Sequence, residues 1–189
     1  AAEVTFENVQ ISSDSIIGVA DKGLPVLELT VDRAIAALCA EAVGIMTALN
    51  AATLDYLKTR QQFGVPIGRF QALQHRMVDM LMHTEQARSM ALLAAVKVDD
   101  DNVTERRRAV SAAKELVGRA GRFVGQQAIQ LHGGMGMTDE LIVGHYVKRL
   151  AAIDTTFGDA DHHLDRFVAA ETTPAEPILA KPRSKWKQI

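Results

Sequence analysis

Two turns in this sequence concentrate side chains that could bind an anionic group. The first brings a cation, an aromatic ring and an amide within twelve residues, at Arg60, Phe63 and Gln71, around a Gly-x-Pro turn. The second, residues 130–136, is rich in glycine and lies about 60 residues later. Helix N-termini carry free N–H groups and partial positive charge, and they attract phosphates. A cationic turn that leads directly into a helix therefore predicts a phosphate-binding corner.

The segments on either side of these turns have helical periodicity. Apolar residues recur every three or four positions from Leu38 to Tyr56, from Phe70 to Ala91 and from Ala109 to Gln127. Long helices with such spacing pack nearly antiparallel. Breaks are expected at Gly64, at residues 99–102 with Thr104 as the N-cap, and at Gly133. With two shorter helices over 139–154 and 158–170, this pattern predicts an all-α, up-down four-helix bundle.

The first residues have a different pattern. Apolar and polar side chains alternate from Val4 to Ile11, which predicts a β-strand that ends at Ser12. We expect residues 1–22 to be a residual strand and linker, 23–170 the helical bundle, and 171–189 a proline-marked flexible tail. No second strand is predicted in the helical remainder of the sequence, so the chain is expected to be the carboxyl part of something larger or half of an assembly.

Composition excludes several classes of function. The 189 residues are 48% hydrophobic and carry a formal net charge of −2, so no basic surplus predicts nucleic-acid binding. Cys39 is the single cysteine and stands among alanines, which predicts a small buried residue rather than a reactive thiol. No signal peptide or apolar run near the ~20 residues of a membrane span was identified. We expect a cytoplasmic protein that binds no membrane.

Metal and nucleotide motifs that a helical bundle could carry are not matched. A di-iron site needs paired Glu-x-x-His motifs, and the sequence has none. The tract that contains Asp159, Asp161, His162 and His163 is short and has no ligands elsewhere, so no metal is expected. The Gly133-Gly134-x-Gly136 turn follows a helix and lacks a Lys-Ser/Thr pair, unlike a Walker loop.

At the two turns the chain resembles the acyl-CoA dehydrogenase family. The first motif is Arg60-x-x-Phe63-Gly64-x-Pro66-Ile67-x-x-Phe70-Gln71, and the second is Gln130-x-His132-Gly133-Gly134-x-Gly136. Residues 4–9 resemble the last strand of the family's middle β-domain, and Asp32-Arg33 resembles the opening of its first long C-terminal helix. The resemblance covers roughly residues 3–168, which correspond to that last strand and the C-terminal bundle.

The resemblance implies an FAD-dependent oxidoreductase. Family members convert an acyl-CoA thioester to the trans-2-enoyl-CoA, and an electron-transfer flavoprotein reoxidises the flavin. Their FAD lies across an interface between subunits, so this chain would belong to a homo- or hetero-oligomer. The implied substrate residues are Asp32 and Arg33. The implied contacts to the FAD pyrophosphate and adenosine are made by Arg60, Phe63, Phe70, Gln71, Gln130, His132, Gly133 and Gly134.

The resemblance also shows where the catalytic base of the family should stand. Counting without gaps from Gly134, the usual glutamate position holds Phe157, whose ring cannot accept a proton. The alternative position on the first long helix holds Ala34. Asp159 and Asp161 are the remaining candidates in this stretch, although two carboxylates near a pyrophosphate would repel it.

Three interpretations remain open at this point. The chain could be a working dehydrogenase subunit whose base is Asp159, Asp161 or a group outside this sequence. It could be a catalytically silent subunit of a hetero-oligomeric dehydrogenase that donates cofactor contacts to a neighbour. It could also be a purely structural helical bundle. The sequence does not determine the acyl chain type.

Overall fold

The computed structural model describes residues 2–172, and most of them form α-helices. A two-stranded hairpin follows the first long helix, and short 3-10 helices follow that hairpin and the third long helix. The helices are α1 (Leu24–Thr59), α2 (Gln71–Lys97), α3 (Val103–His132), α4 (Ile142–Thr155) and α5 (Ala160–Thr172). The hairpin strands are β1 (Gln61–Gln62) and β2 (Val65–Pro66). The prediction of an all-α bundle is confirmed.

Contacts between the helices establish the up-down order. Arg33, near the start of α1, pairs with Asp99, just after α2, at 2.8 Å. Arg76, near the start of α2, donates to Gln127, near the end of α3, at 2.8 Å. Successive helices are therefore antiparallel. Helix α3 is central, since it contacts all four of the other helices.

The fourth position of the bundle is shared by two helices in series. Along α3, Gly125 faces Val147 of α4 and Gly118 faces Asp154 near the end of α4. Further toward the start of α3, Ser111 accepts a hydrogen bond from Arg166 of α5. Helices α4 and α5 thus follow α3 in the antiparallel direction, and the chain between them interrupts what would otherwise be one long helix. We call residues 156–159 the α4–α5 break.

The core is built from the predicted apolar stripes. Large side chains such as Met46, Leu49, Met80 and Val117 are buried, and many alanines let the helices approach closely. Cys39 has no exposed surface, and burial raises the pKa of its thiol to about 12. The prediction of a small, buried and unreactive cysteine is therefore confirmed.

Helix α1 is more apolar than expected from its periodicity. It contains an 18-residue window with a mean hydropathy of 1.6 and no more than two charged residues, which is long and apolar enough to cross a membrane by composition alone. Half of that window is buried against the rest of the bundle. The buried half of this window packs in the core of the bundle, and the core helix of a bundle can have this composition.

Several predicted boundaries are wrong. Residues 4–11 form no strand, and their apolar side chains are exposed, because no partner strand lies within residues 2–172 to pair their backbone groups. Helix α1 begins at Leu24, so Asp32 and Arg33 lie two turns inside it rather than at its start. Asn102, not Thr104, is the N-cap of α3, since its side chain accepts from the backbone N–H of Thr104 and of Glu105. Apart from its first two residues, the predicted tail lies outside the described residues.

Candidate functional site

Both sequence motifs lie at one end of the bundle. The end of α1, the start of α2 and the end of α3 meet there because the first three helices alternate in direction. Tyr56, in the last turn of α1, stacks on His132, the last residue of α3, with ring centroids 4.5 Å apart. The two turns therefore lie close together in the structure. We call the end that carries residues 60–71 and 130–137 the turn end.

The first turn is a tight hairpin. Gln61 pairs with Pro66 and Gln62 with Val65, so Phe63 and Gly64 are the two central residues. Both have left-handed backbone, with φ of 54° and 77°. Two positive φ angles define the type I′ turn, which matches the twist of a two-residue hairpin. The hairpin projects the Phe63 ring outward, where 90% of the residue is exposed.

The other predicted residues of this turn are exposed beside the hairpin. Arg60 ends α1, and its carbonyl accepts from the N–H of Ile67, which closes the loop. Phe70 precedes α2 and packs edge-to-face on Phe63, with ring centroids 5.9 Å apart. Gln71 is the first residue of α2, and no side chain caps that helix. The turn thus combines an exposed arginine with a helix N-terminus that has no side-chain cap among the described residues, and both features suit phosphate oxygens.

The second turn leaves open space for a ligand. Gly133 has φ of 59°, and a Cβ at Gly133 or Gly134 would meet no atom within 4 Å. Gln130 is exposed beside them. Gly136 is different, because a Cβ there would lie 2.8 Å from the carbonyl oxygen of Ile129, so this glycine is needed for packing. The backbone at 133–134 is thus open to close approach, as a nucleotide-binding turn requires.

His132 lies beneath the second turn rather than on its surface. It is 5% exposed, and its Nδ1 is 2.8 Å from the carbonyl oxygen of Ala128. A carbonyl oxygen only accepts, so Nδ1 carries the proton and donates. With its face against Tyr56, the ring supports the turn from inside. Its predicted contact with a cofactor stays a prediction.

An apolar groove adjoins the turn end. It has a volume of about 630 Å³ between α1 and α2, and Leu54, Met77 and Leu81 are among its lining residues. Lys58 and Arg69 also line it. Pro66 and Gly68 of the first turn also line the groove, so it reaches the turn end.

The predicted substrate residues have different environments. Asp32 has no exposed surface, and its two carboxylate oxygens accept from Arg106 at 2.9 Å and from Arg166 at 2.6 Å. Arg33 is exposed and pairs with Asp99. Asp32 ties α1 to α3 and α5, so in this structure its carboxylate is fully used within the protein. A role in substrate binding stays a prediction for both residues.

The α4–α5 break carries Phe157, the residue that the family resemblance predicts at the position of the base. Phe157 has φ of 60° and Gly158 has φ of 100°, so two consecutive residues are left-handed. The Phe157 ring is outside the core, with the residue 47% exposed. Left-handed backbone is uncommon for a bulky residue such as Phe157, and residues held this way concentrate at functional sites.

The two candidate bases differ in how they are used. Oδ1 of Asp159 accepts from the backbone N–H of His162 at 2.9 Å, so Asp159 acts as the N-cap of α5. That hydrogen bond lowers the pKa of the Asp159 carboxyl, which makes it a weaker base. Asp161 is exposed on the first turn of α5. The role of either residue in proton transfer stays a prediction.

Two buried polar residues below the break were missed by the sequence reasoning. Lys114 has no exposed surface, and its Nζ donates to the carbonyl oxygens of Asp154 and Gly158, both at 2.7 Å. His163 is 1% exposed, and its Nε2 lies 3.0 Å from the carbonyl oxygen of Phe157. Lys114 shares a helix face with Gly118 and Gly121. The sequence signal that could have identified Lys114 is its position on the same helix face as small residues, which allow a neighbouring helix to pack closely.

Comparison with known proteins agrees with the fold and the motifs. The sequence model of the "Acyl-CoA dehydrogenase, C-terminal domain" matches residues 21–170. A probable acyl-CoA dehydrogenase, YngJ of Bacillus subtilis strain 168, is 34% identical over 171 residues, which cover 89% of this chain and 43% of YngJ.

Solved structures give the same result. Butyryl-CoA dehydrogenase from Megasphaera elsdenii superposes with a TM-score of 0.82 at 26% identity, over 89% of this chain and 43% of that one. The structure described as PigA with FAD and proline superposes with a TM-score of 0.81 at 28% identity, over 88% of this chain and 43% of that one.

The bundle thus has the fold of the helical C-terminal domain of acyl-CoA dehydrogenases. The chain belongs to the acyl-CoA dehydrogenase family. It spans about two fifths of the length of the curated relatives that it matches.

Proposed function

We propose that this chain is the cofactor-donating, base-deficient part of an FAD-dependent acyl-CoA dehydrogenase assembly. In this proposal the turn end contacts the pyrophosphate and adenosine of an FAD held mainly by a neighbouring subunit. The reaction of the assembly is the α,β-dehydrogenation of an acyl-CoA thioester, and an electron-transfer flavoprotein accepts the electrons. The FAD supplies the acceptor for the substrate hydride.

The observation that carries the proposal is the Tyr56–His132 stack, which joins the two family motifs at one end of the bundle. The residues there fit the cofactor. Arg60 would hold the pyrophosphate, because a guanidinium matches phosphate oxygens. Gly133 and Gly134 would admit the adenosine, because no atom fills the space in front of them. Phe63 would cover an apolar part of the cofactor with its exposed ring.

The α4–α5 break supports the second half of the proposal. The Phe157 ring offers no proton acceptor, and Asp159 is engaged as a helix cap. Removal of a substrate α-proton needs a carboxylate positioned at the substrate. The base would therefore come from another subunit, and we propose a silent partner beside an active, glutamate-bearing one.

The proposal is tested by Arg60→Ala in the flavin-loaded assembly that contains this chain. Loss of one charge-assisted phosphate contact should lower FAD affinity by roughly tenfold or more, at about 1.5–3 kcal/mol for a hydrogen bond to a charged group. The measurement is the FAD dissociation constant, from flavin fluorescence during dilution.

The matched control is Lys58→Ala. Lys58 is an exposed cation near the end of the same helix that lines the apolar groove instead. The substitution should leave FAD affinity within about twofold, since an exposed charge without a proposed contact to the cofactor contributes little. If Arg60→Ala leaves FAD affinity unchanged, or if both variants weaken FAD equally, the cofactor-donor role is wrong.

A further inference from the structure

Three hydrogen bonds from two buried side chains hold the α4–α5 break and the last turn of α4, and all three end on backbone carbonyls. Lys114 Nζ donates to the oxygens of Asp154 and Gly158, and His163 Nε2 pairs with the oxygen of Phe157. No hydrogen bond of this set involves a side chain of the break. These hydrogen bonds therefore fix the backbone of the residues that accept them, whatever side chains those residues carry.

Both supporting groups are buried beneath the break. Lys114 and His163 are 0% and 1% exposed, so their hydrogen bonds do not compete with water. The carbonyl of Phe157 only accepts, so Nε2 of His163 must donate, and its Nδ1 is left buried without a partner. A buried ammonium and a buried imidazole are costly to maintain. Their common target is the two left-handed residues Phe157 and Gly158.

Left-handed backbone at a non-glycine residue persists only where the surroundings determine it strongly. Gly158 adds a steric constraint, because a Cβ there would lie 2.3 Å from Cδ2 of the His162 ring. The break is therefore held from below by Lys114 and His163, and the His162 ring excludes a side chain at position 158. Relaxation of Phe157 to ordinary backbone would turn its side chain away from its present direction.

We propose that Lys114 and His163 are positioning residues that hold residue 157 in a single outward orientation, independent of the side chain it carries. The backbone conformation of the break is then fixed independently of the side chain at position 157, where phenylalanine has replaced a proton acceptor. The inference rests on the proposed function only for what residue 157 faces in the assembly. The positioning itself is a property of this chain.

The first test measures the orientation of residue 157 without a flavin. para-Fluorophenylalanine incorporated at position 157 alone should give one narrow ¹⁹F resonance in the purified protein. His163→Leu removes the donor, and the single resonance should be lost to broadening or to a second peak. His163→Gln should keep it, because an amide N–H can donate to the same carbonyl.

Lys114→Met should disturb the resonance more, since two of the three hydrogen bonds disappear. Its matched control is Arg122→Met, which removes a cation of the same helix that binds Oδ2 of Asp154 at 2.7 Å and makes no contact with the carbonyls of the break. Arg122→Met should keep the narrow line. If Lys114→Met does not fold, the His163 pair decides the question.

The inference is overturned if a folded His163→Leu protein keeps the wild-type resonance, or if His163→Gln disturbs it as much as His163→Leu does. It is also overturned if Arg122→Met has as large an effect as Lys114→Met.

The second test measures function in the flavin-loaded assembly. Phe157→Glu should introduce exchange of the α-proton of an acyl-CoA with solvent deuterium, since the carboxylate takes the proton and returns a deuteron. Adding His163→Leu should slow that exchange by about 100-fold, the typical effect of a misplacement near 1 Å, whereas adding His163→Gln should not.

The two proposals fail separately. An unchanged FAD affinity in Arg60→Ala removes the cofactor-donor role and leaves the ¹⁹F result intact. Normal FAD binding combined with no exchange in Phe157→Glu removes the proposal that residue 157 faces the substrate, and the ¹⁹F comparison of His163→Leu with His163→Gln still decides whether residue 157 is positioned.

Discussion

The turn end and the α4–α5 break use the same pair of residues in the same backbone conformation. Phe63-Gly64 has φ of 54° and 77°, and Phe157-Gly158 has φ of 60° and 100°. Each pair projects a phenyl ring away from the core. The support differs, because neighbouring residues hold Phe63 in a two-residue hairpin, whereas Phe157-Gly158 is held by buried side chains of two other elements, Lys114 of α3 and His163 of α5.

This difference separates local from tertiary control of a functional loop. The hairpin conformation results from its own turn and strand pairing, so changes elsewhere in the bundle should leave it intact. The α4–α5 break depends on α3 and α5, so it should respond to changes in either helix. Substitutions in the two regions should therefore have effects of different size. The largest effect is expected at the buried ion pair under α5, and the smallest at one ring stack at the turn end.

The largest effect is expected for Asp32→Ala. This change leaves the buried Arg106 and the half-buried Arg166 without their shared carboxylate and loosens α5, at a cost of about 3–5 kcal/mol in unfolding free energy. Urea titration measures the loss. Arg33→Ala, which removes an exposed pair, should cost less than about 1 kcal/mol.

The same pair of variants addresses the predicted substrate role of these two residues. An Asp32→Ala protein that is as stable as Arg33→Ala would contradict the structural role of Asp32. It would return Asp32 to consideration as a substrate contact.

The pH dependence of stability should come from the break. Burial, together with the nearby charges of Lys114 and Arg166, lowers the pKa of His163 to about 4 from its usual value of 6.5. The folded state disfavours the protonated ring, so this stability is complete above pH 6.5 and is lost as the pH falls toward 4. At 1.36 kcal/mol per pKa unit the loss is about 3 kcal/mol.

His163→Gln isolates this contribution, because it keeps a donor and does not titrate. The difference in unfolding free energy between wild type and His163→Gln should fall steadily from pH 6.5 to pH 4. A flat difference across that range would contradict the buried, neutral histidine.

Alanine substitutions of the two left-handed glycines compare the regions directly. Gly158→Ala combines positive φ with a Cβ that would meet the His162 ring, at a cost of about 2–3 kcal/mol. Gly64→Ala meets no atom within 4 Å and should cost only about 1 kcal/mol of backbone strain. Thermal unfolding compares the two, and equal losses would show that the break is no more constrained than the hairpin.

The smallest effect is expected for Tyr56→Leu at the turn end. Loss of the stack on His132 should weaken FAD binding in the assembly by roughly fivefold, since such stacks contribute about 0.5–1.5 kcal/mol. The dissociation constant of FAD measures it. His83→Leu removes the stack of His83 on Phe123, at 4.2 Å within the bundle, and should lower stability without changing FAD affinity.

Equal effects of Tyr56→Leu and His83→Leu on FAD affinity would mean that the Tyr56–His132 stack does not position the turns.

The helices were predictable because their apolar residues repeat at helical spacing, and Gly64, Asn102 and Gly133 mark their ends. The absence of a strand over residues 4–11 could not be predicted, because alternation shows which side chains could share a face but not whether a partner strand is present. Only a three-dimensional arrangement tells whether an alternating segment is paired.

The candidate site divides in the same way. The side chains of the turn end are contiguous in sequence, so the motifs around Arg60 and Gly133 could be identified from residue types alone. The stack of Tyr56 on His132 joins positions 76 apart. The partners of Lys114 are carbonyls about 40 residues away, and any residue type has a carbonyl. Such contacts leave little trace in a single sequence.

Helix α3 carries one supporting residue for each of the two regions. Lys114 lies under the break and His132 lies under the second turn, so their separation is about 27 Å of continuous helix, at 1.5 Å per residue. The length of helix α3 between these two residues therefore fixes the distance and the relative orientation of the two regions. One inserted residue between them would rotate one support by about 100° relative to the other, whereas seven inserted residues would nearly restore the facing.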